Sequence, residues 1–347
     1  MFASRMLSKL QSLDHLSAAK LRVDSVCVRP GAATSSICPP ISQIHLDPWP
    51  TQRALSECFY RPELIDLKAR VGFESRSHEA WIRSCENFGA SLWIRAVPSI
   101  EFFKVTSQVY AVMLQYYMAV SMPFVDSASI PRCGCDKQAF DESLQFGFHW
   151  DSLCAQQNVF RSQRHDLVRD IFYRAFKECG TAVVKEPLGL YANSNARPAD
   201  VLVTEVTNYA LDFVITNPRS KSAINKGSDK CSLLAADLSE KVKEDDHIKM
   251  VNQFGLGFLD FQKFGVAFES SGAFGKTALK VWDRLKYVAS EVGLDNYVVT
   301  GKSFTWSTFT FEQMVPQKVS WAIMRQNANA IIQGAQRSRN GVQSVVS

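Results

Sequence analysis

The sequence predicts an α/β protein in which a small mixed sheet is flanked by helices and preceded by a mainly helical region. Three observations carry this expectation. Two short apolar runs each follow an acid, Asp200 before Val201-Leu202-Val203 and Asp212 before Phe213-Val214-Ile215, and both read as well-buried strands. The intervening turn, Val206-Thr207-Asn208-Tyr209, is short enough to make them a hairpin. Upstream, Phe160, Leu167, Val168, Ile171, Phe172, Ala175 and Phe176 keep a helical period up to Cys179, with Gly180 as the stop. From residue 160 onward the order is helix, strand, two-acid hairpin, lysine-bearing helix, strand, helix, which builds an α/β core around a small sheet.

Taken in order, residues 3–22 have leucines near helical spacing, and about 25–55 is a proline-bearing irregular arm, so 1–60 reads as an N-terminal helix and arm. The stretch 61–131 reads as helical. One helix is expected from Ser77 to about Arg95, ended by Pro98, and another over 99–121, whose many apolar residues point to core. A Cys/His segment fills 132–156. A larger domain spans 157–335, with strands at Thr181–Lys185 and Phe264–Glu269. Its helices are expected at about Ser232–Gln253, Lys276–Ser290 and Val315–Ala335, and the polar tail 336–347, with Arg337 and Arg339, is expected to fray.

At 347 residues, 46% of them hydrophobic, with 23 Phe and 7 Trp, the chain has enough apolar material for a real core rather than a disordered chain. The formal charge of +5 is compatible with nucleic acid without being diagnostic of it. No apolar stretch is long enough to predict a membrane span. The first 22 residues are amphipathic and basic rather than signal-like, and the nine cysteines are odd in number and irregular in spacing. They are therefore expected as reduced thiols or metal ligands.

Two constellations carry chemistry. Asp200 and Asp212 stand twelve positions apart and, on an antiparallel hairpin, reach one end of the sheet. Two close carboxylates repel unless a cation lies between them, which points to a Mg2+ or Mn2+ site. The competing reading makes Asp200 a turn residue and Asp212 a partly solvated strand acid. The second constellation is Cys133-Gly134-Cys135, then thirteen residues, His149, four residues and Cys154. Three thiols and an imidazole make a tetrahedral Zn2+ set, although the single residue between the first two cysteines is tighter than the usual two to four. Buried free thiols beside a surface histidine are the alternative. The helix at 160–179 also carries Arg161, Arg164, His165 and Arg169, residue types suited to phosphate contacts, or equally to a solvated helix face with His165 at the core edge.

Taken together, Cys-x-Cys…His-x4-Cys, Arg161…Arg164-His165…Arg169, Glu186-Pro187, Arg197-Pro198-Ala199-Asp200 and Leu211-Asp212-Phe213-Val214-Ile215-Thr216-Asn217-Pro218 resemble the region downstream of the reverse transcriptase in site-specific non-LTR retrotransposons. There a CCHC zinc knuckle precedes a PD-(D/E)xK restriction-like endonuclease. The resemblance covers about residues 80–335 and implies a restriction endonuclease-like fold, a metal-dependent DNA endonuclease and a nuclear location, otherwise a cytoplasmic one. It implies Zn2+ on Cys133, Cys135, His149 and Cys154, metal-binding acids at Asp200 and Asp212, and Arg164 and His165 close to the DNA or the active site. RNA is a further partner to consider. The chain departs from the pattern in two places: Ala199 is inserted in the Pro-Asp pair, and Val214 stands where the simple motif has lysine. A lysine on the next helix is tolerated in that family, which leaves Lys241 and Lys243 as candidates, with Glu240 as a possible further acid and His247 where an aromatic is often found. The reverse transcriptase itself is missing, which implies a fragment, a stand-alone derivative or a relic. The alternative function is a catalytically inactive nucleic-acid-binding module, and a purely structural protein is a third reading.

Overall fold

The computed structural model of the protein describes residues 75–96, 101–135, 138–192, 194, 197–205, 207–257, 260–294 and 310–346. All of them belong to one compact unit, Ser75–Ser347. The helix expected at 3–22, the arm after it and residue 206 of the hairpin turn lie outside the described residues.

The protein is a mixed α/β structure with a small open sheet of four strands: β1 Ala182–Lys185, β2 Val201–Thr204, β3 Tyr209–Thr216 and β4 Gln262–Glu269. The order is β1-β2-β3-β4. The first two pairings are antiparallel and β3–β4 is parallel, in the register Asp212↔Gly265. The hairpin forms as its pattern predicts, with Val201 paired to Leu211. Strands built from Val, Leu and Phe suit this sheet because it is covered on both faces. On one face Val201, Val203, Leu211, Phe213, Val266 and Phe268 pack against α4 (Asn158–Glu178), α7 (Lys276–Glu291) and the first half of α8 (Phe311–Val346). On the other face Leu202 and Ala210 join Leu190, Tyr191, Ala199 and Phe261 beneath α6 (Leu234–Phe254).

A second core, rich in aromatic residues, is built by α1 (Arg76–Cys85), α2 (Ser107–Tyr117), the Cys/His segment with its short helix α3 (Glu142–Gln145), and the second half of α8. Trp81, Trp93, Trp150 and Trp321 are all fully buried there. The 36-residue helix α8 therefore serves both cores as a spine.

Differences from the expected elements have local causes. The helix expected over 77–95 stops at Cys85 and resumes only as a 3-10 turn, Leu92–Arg95. Between them Gly89 takes φ +97 and approaches so close to the Gly272 carbonyl and the Phe274 ring that a Cβ would sit 2.4 Å from each. The helix expected over 99–121 is a 3-10 turn, Glu101–Phe103, followed by α2, whose N-terminus Thr106 caps by accepting from the Val109 amide at 3.3 Å. A short helix, α5 (Lys221–Lys226), occupies the polar stretch after β3, capped by Ser220 and ended by Gly227. The tail expected to fray continues α8 instead: Ser338 is buried and accepts from the Gly134 amide at 2.9 Å, and Arg337 donates to the Gln156 carbonyl at 3.0 Å. No described helix is long and apolar enough to cross a membrane.

Candidate functional site

The Cys/His segment closes into one cluster. A bridge between Arg132 and Ala139, with the Cys133 amide donating to the Gln138 carbonyl at 2.8 Å, tightens the turn that carries Cys133 and Cys135. One π-helical turn, His149–Leu153, presents His149, and the Cys154 amide donates back to the His149 carbonyl at 2.8 Å. The ligand atoms of Cys133, Cys135, His149 and Cys154 all lie within 4.8 Å of one another. The Cys133 and Cys154 sulfurs are 3.7 Å apart, and the Cys135 sulfur is 3.3 Å from His149 Nε2. A tetrahedral zinc ion with Zn–S bonds of about 2.3 Å has ligand–ligand edges of about 3.8 Å, so the set can hold a metal such as zinc. The chemistry of the sulfurs agrees. The Cys133 and Cys154 sulfurs share a hydrogen bond that lowers the pKa of the Cys133 thiol against the opposing effect of burial and raises that of Cys154. The Trp150 indole adds a further donor to the Cys133 sulfur at 3.3 Å.

The same turn ties the cluster to the sheet. Asp151 is fully buried, accepts from the Tyr116 hydroxyl and from Asn217 Nδ2 at 3.3 Å, and lies 3.5 Å from Arg219 Nη2. Arg219 donates to the Tyr116 oxygen at 2.7 Å, and its guanidinium stacks 3.2 Å from the Phe148 ring centre and 3.9 Å from that of Trp81. Asn217 and Arg219 directly follow β3, so the Cys/His loop is latched to the strand that carries Asp212.

Asp200 and Asp212 stand just beyond the last β2–β3 pair, Val201↔Leu211; Asp200 precedes β2, whereas Asp212 lies within β3, paired with Gly265 of β4, so the expected common sheet end is the end of the hairpin pairing and not of the sheet. Their carboxylates have different partners. Asp200 Oδ2 accepts from the Phe213 amide at 2.6 Å and meets His165 Nε2, on α4, at 3.1 Å. This contact holds the His165 imidazole above its ordinary pKa, against burial. Asp212 Oδ1 holds Lys243 Nζ, from α6, at 2.7 Å, and Oδ2 holds Lys263 Nζ, from β4, at 3.0 Å. Of the two candidate lysines, then, Lys243 reaches an acid, whereas Lys241 is exposed. Gly265, opposite Asp212, makes room for it: a Cβ there would sit 2.7 Å from the Lys243 Cβ and 3.0 Å from the Glu240 carbonyl. Glu240 itself is turned away, accepting from the Thr277 amide and hydroxyl at 3.0 and 2.8 Å.

The expected phosphate-contacting residues of α4 are placed differently from a solvated face. Arg161 is half-buried and donates to Asn158. Arg164 is a core residue. It donates to Asn327 on α8, which in turn donates to the Ser270 carbonyl at 2.7 Å, and burial lowers the guanidinium pKa. Arg169 is also buried, paired with Asp170 at 2.9 Å, Glu186 at 2.7 Å and Asp166 at 3.1 Å. Both are occupied inside the fold, and His165 is the residue of this group that faces an acid of the hairpin. Sequence reasoning missed Lys263. The glycine inside an otherwise apolar strand, Gly265, was the signal of a close approach at that point.

No protein-family model matches the chain, and no curated protein matches it.

Proposed function

We propose that this protein is a metal-dependent DNA endonuclease of retroelement origin, built on the PD-(D/E)xK restriction-like plan, with a zinc ion on Cys133, Cys135, His149 and Cys154. The observation that carries this reading is the Lys243 ammonium at 2.7 Å from Asp212, the residue just beyond the hairpin pair Val201↔Leu211, on whose other strand Asp200 stands. Two acids and a lysine are the parts that phosphodiester hydrolysis needs. Carboxylate oxygens are the donors a hard cation takes; in this structure those of Asp212 pair with Lys243 and Lys263, and Asp200 Oδ2 meets His165 and the Phe213 amide. Asp200 and Asp212 would hold Mg2+ or Mn2+, which supplies an activated water and charge neutralisation at phosphate. Lys243 then balances negative charge developing on the scissile phosphate. His165 keeps Asp200 oriented through its Nε2 contact. DNA as substrate implies a nuclear site of action.

A second reading, a catalytically inactive nucleic-acid-binding relic, draws on a specific observation. Asp200 is engaged by His165 and the Phe213 amide while Asp212 is engaged by two lysines, so the two acids serve separate partners. Nicking of supercoiled plasmid with Mg2+ or Mn2+, beside Asp212→Ala, separates the two. Metal-dependent nicking that the variant loses supports the endonuclease. DNA binding without nicking by either protein supports the relic, and neither binding nor nicking rejects both.

A further inference from the structure

Asp212 carries more positive charge than one carboxylate balances. Lys243 and Lys263 approach its two oxygens at 2.7 and 3.0 Å, and the Lys263 side chain is only 7% exposed. The neighbouring groups do not restore neutrality. His247, on α6, has its pKa lowered by burial and by Lys263, and its Nδ1 shares a 2.7 Å hydrogen bond with the Tyr191 hydroxyl. Burial and Asp212 push the Tyr191 phenol up to about 12, so it stays protonated. Glu240, one turn before Lys243, is spent on Thr277. Asp200, across the hairpin, is matched by His165, whose imidazole it holds above its ordinary pKa. The centre around Asp212 therefore holds two ammoniums, one carboxylate and two neutral rings, a net positive charge between β3, β4 and α6.

A lysine ammonium is a compact point charge that binds phosphate oxygens well, and a phosphodiester offers two unesterified oxygens for two such charges. We infer that Lys243 and Lys263 together form a two-pronged site for the backbone phosphodiester of DNA, with Asp212 as the internal anion whose place the phosphate takes. Lys263 is thereby a phosphate-binding residue from β4, beyond the acid–acid–lysine set. The inference rests on the nucleic-acid reading above, and its test is separate from cleavage.

The experiment measures equilibrium binding of a short DNA duplex across a salt series, without added divalent ion, for the wild type, Lys263→Met and Asp212→Asn. Each lysine–phosphate contact contributes about 0.9 to the slope of log affinity against log salt. Lys263→Met should lower that slope by about 0.9, which is about 3.5-fold less loss of affinity over a fourfold rise in salt. Asp212→Asn removes the internal anion and should tighten binding and steepen the slope, and adding Lys263→Met should cancel the gain. An Asp212→Asn variant that binds no tighter overturns the inference, even if Lys263→Met fails to fold. An unchanged slope in a folded Lys263→Met overturns it as well. Plasmid nicking reports independently. Tightening without any nicking leaves the phosphate site standing and removes the endonuclease, whereas nicking without tightening does the reverse.

Discussion

Glu269, the last residue of β4, is 1% exposed, and neither of its carboxylate oxygens makes a full hydrogen bond. Burial raises its pKa from 4.5 to about 7, and Ser84 and the Ala236 amide draw it back only in part. An unfolded chain ionises this group near 4.5 and the folded one near 7, so between those values the native state binds the extra proton. Stability is then fully present below about 4.5 and is lost as pH rises toward about 7. At about 1.4 kcal/mol per pKa unit, the loss is about 3 kcal/mol. Glu269→Gln keeps the shape and removes the titration. Its urea unfolding free energy should lie about 3 kcal/mol above the wild type at neutral pH and approach it below about pH 4.5, because the difference between the two proteins cancels every other group. Curves that stay parallel across this range would refute the reasoning, since they would mean that Glu269 ionises alike in both states.

Three further outcomes follow from the packing. Chelation of the Cys/His cluster, or Cys154→Ser, should remove about one equivalent of bound zinc and lower the unfolding free energy by several kcal/mol, because the loop is part of the aromatic core. Metal analysis beside thermal melting checks both, and an unchanged metal content would sink the site. Arg219→Met should cost about 3–5 kcal/mol by leaving buried Asp151 short of its guanidinium, and Asp151→Asn in the same chain should recover part of it; a neutral single variant would exclude the latch. Gly265→Ala should push α6 off β4, at about 1–3 kcal/mol, and impair nicking through Lys243 more than it impairs DNA binding; equal loss of both in melting-matched samples would count against that placement.

The hairpin, α4 and α7 were legible because each is written in a local period: apolar runs beside Asp200 and Asp212, and helical spacing from Phe160 onward. The breaks were harder. Gly89 ends a helix through a contact with Gly272 and Phe274, residues that lie far away in the chain, and nothing between 77 and 95 encodes that partner. The arginines of α4 show the same limit. Arg164 and Arg169 fall on a polar stripe by period, yet Asn327 takes one and Asp166, Asp170 and Glu186 take the other, and these partners make burial affordable.

The acid–lysine centre combines both kinds of information. A turn of a few residues brings Asp200 and Asp212 to the end of the β2–β3 pairing, so twelve-residue spacing was enough to set them on facing strands, although β3 runs on past Asp212 beside β4 and the two carboxylates take different partners. The lysines arrive by the β3–α6–β4 crossover, and the parallel register that sets Ala210 against Lys263 and Asp212 against Gly265 pairs residues more than fifty positions apart. Helical period sets Lys241 and Lys243 on opposite sides of the helix without saying which side faces the sheet. The choice falls to Lys243 because Gly265 leaves space on its side of α6, while Lys241 stays exposed. The same register turns Lys263 toward the α6 side with Gly265, by the two-residue alternation of a strand, and so onto Asp212. A strand lysine beside a glycine, opposite an acid-bearing strand, is thus a readable sign of a charged centre once the pairing is known.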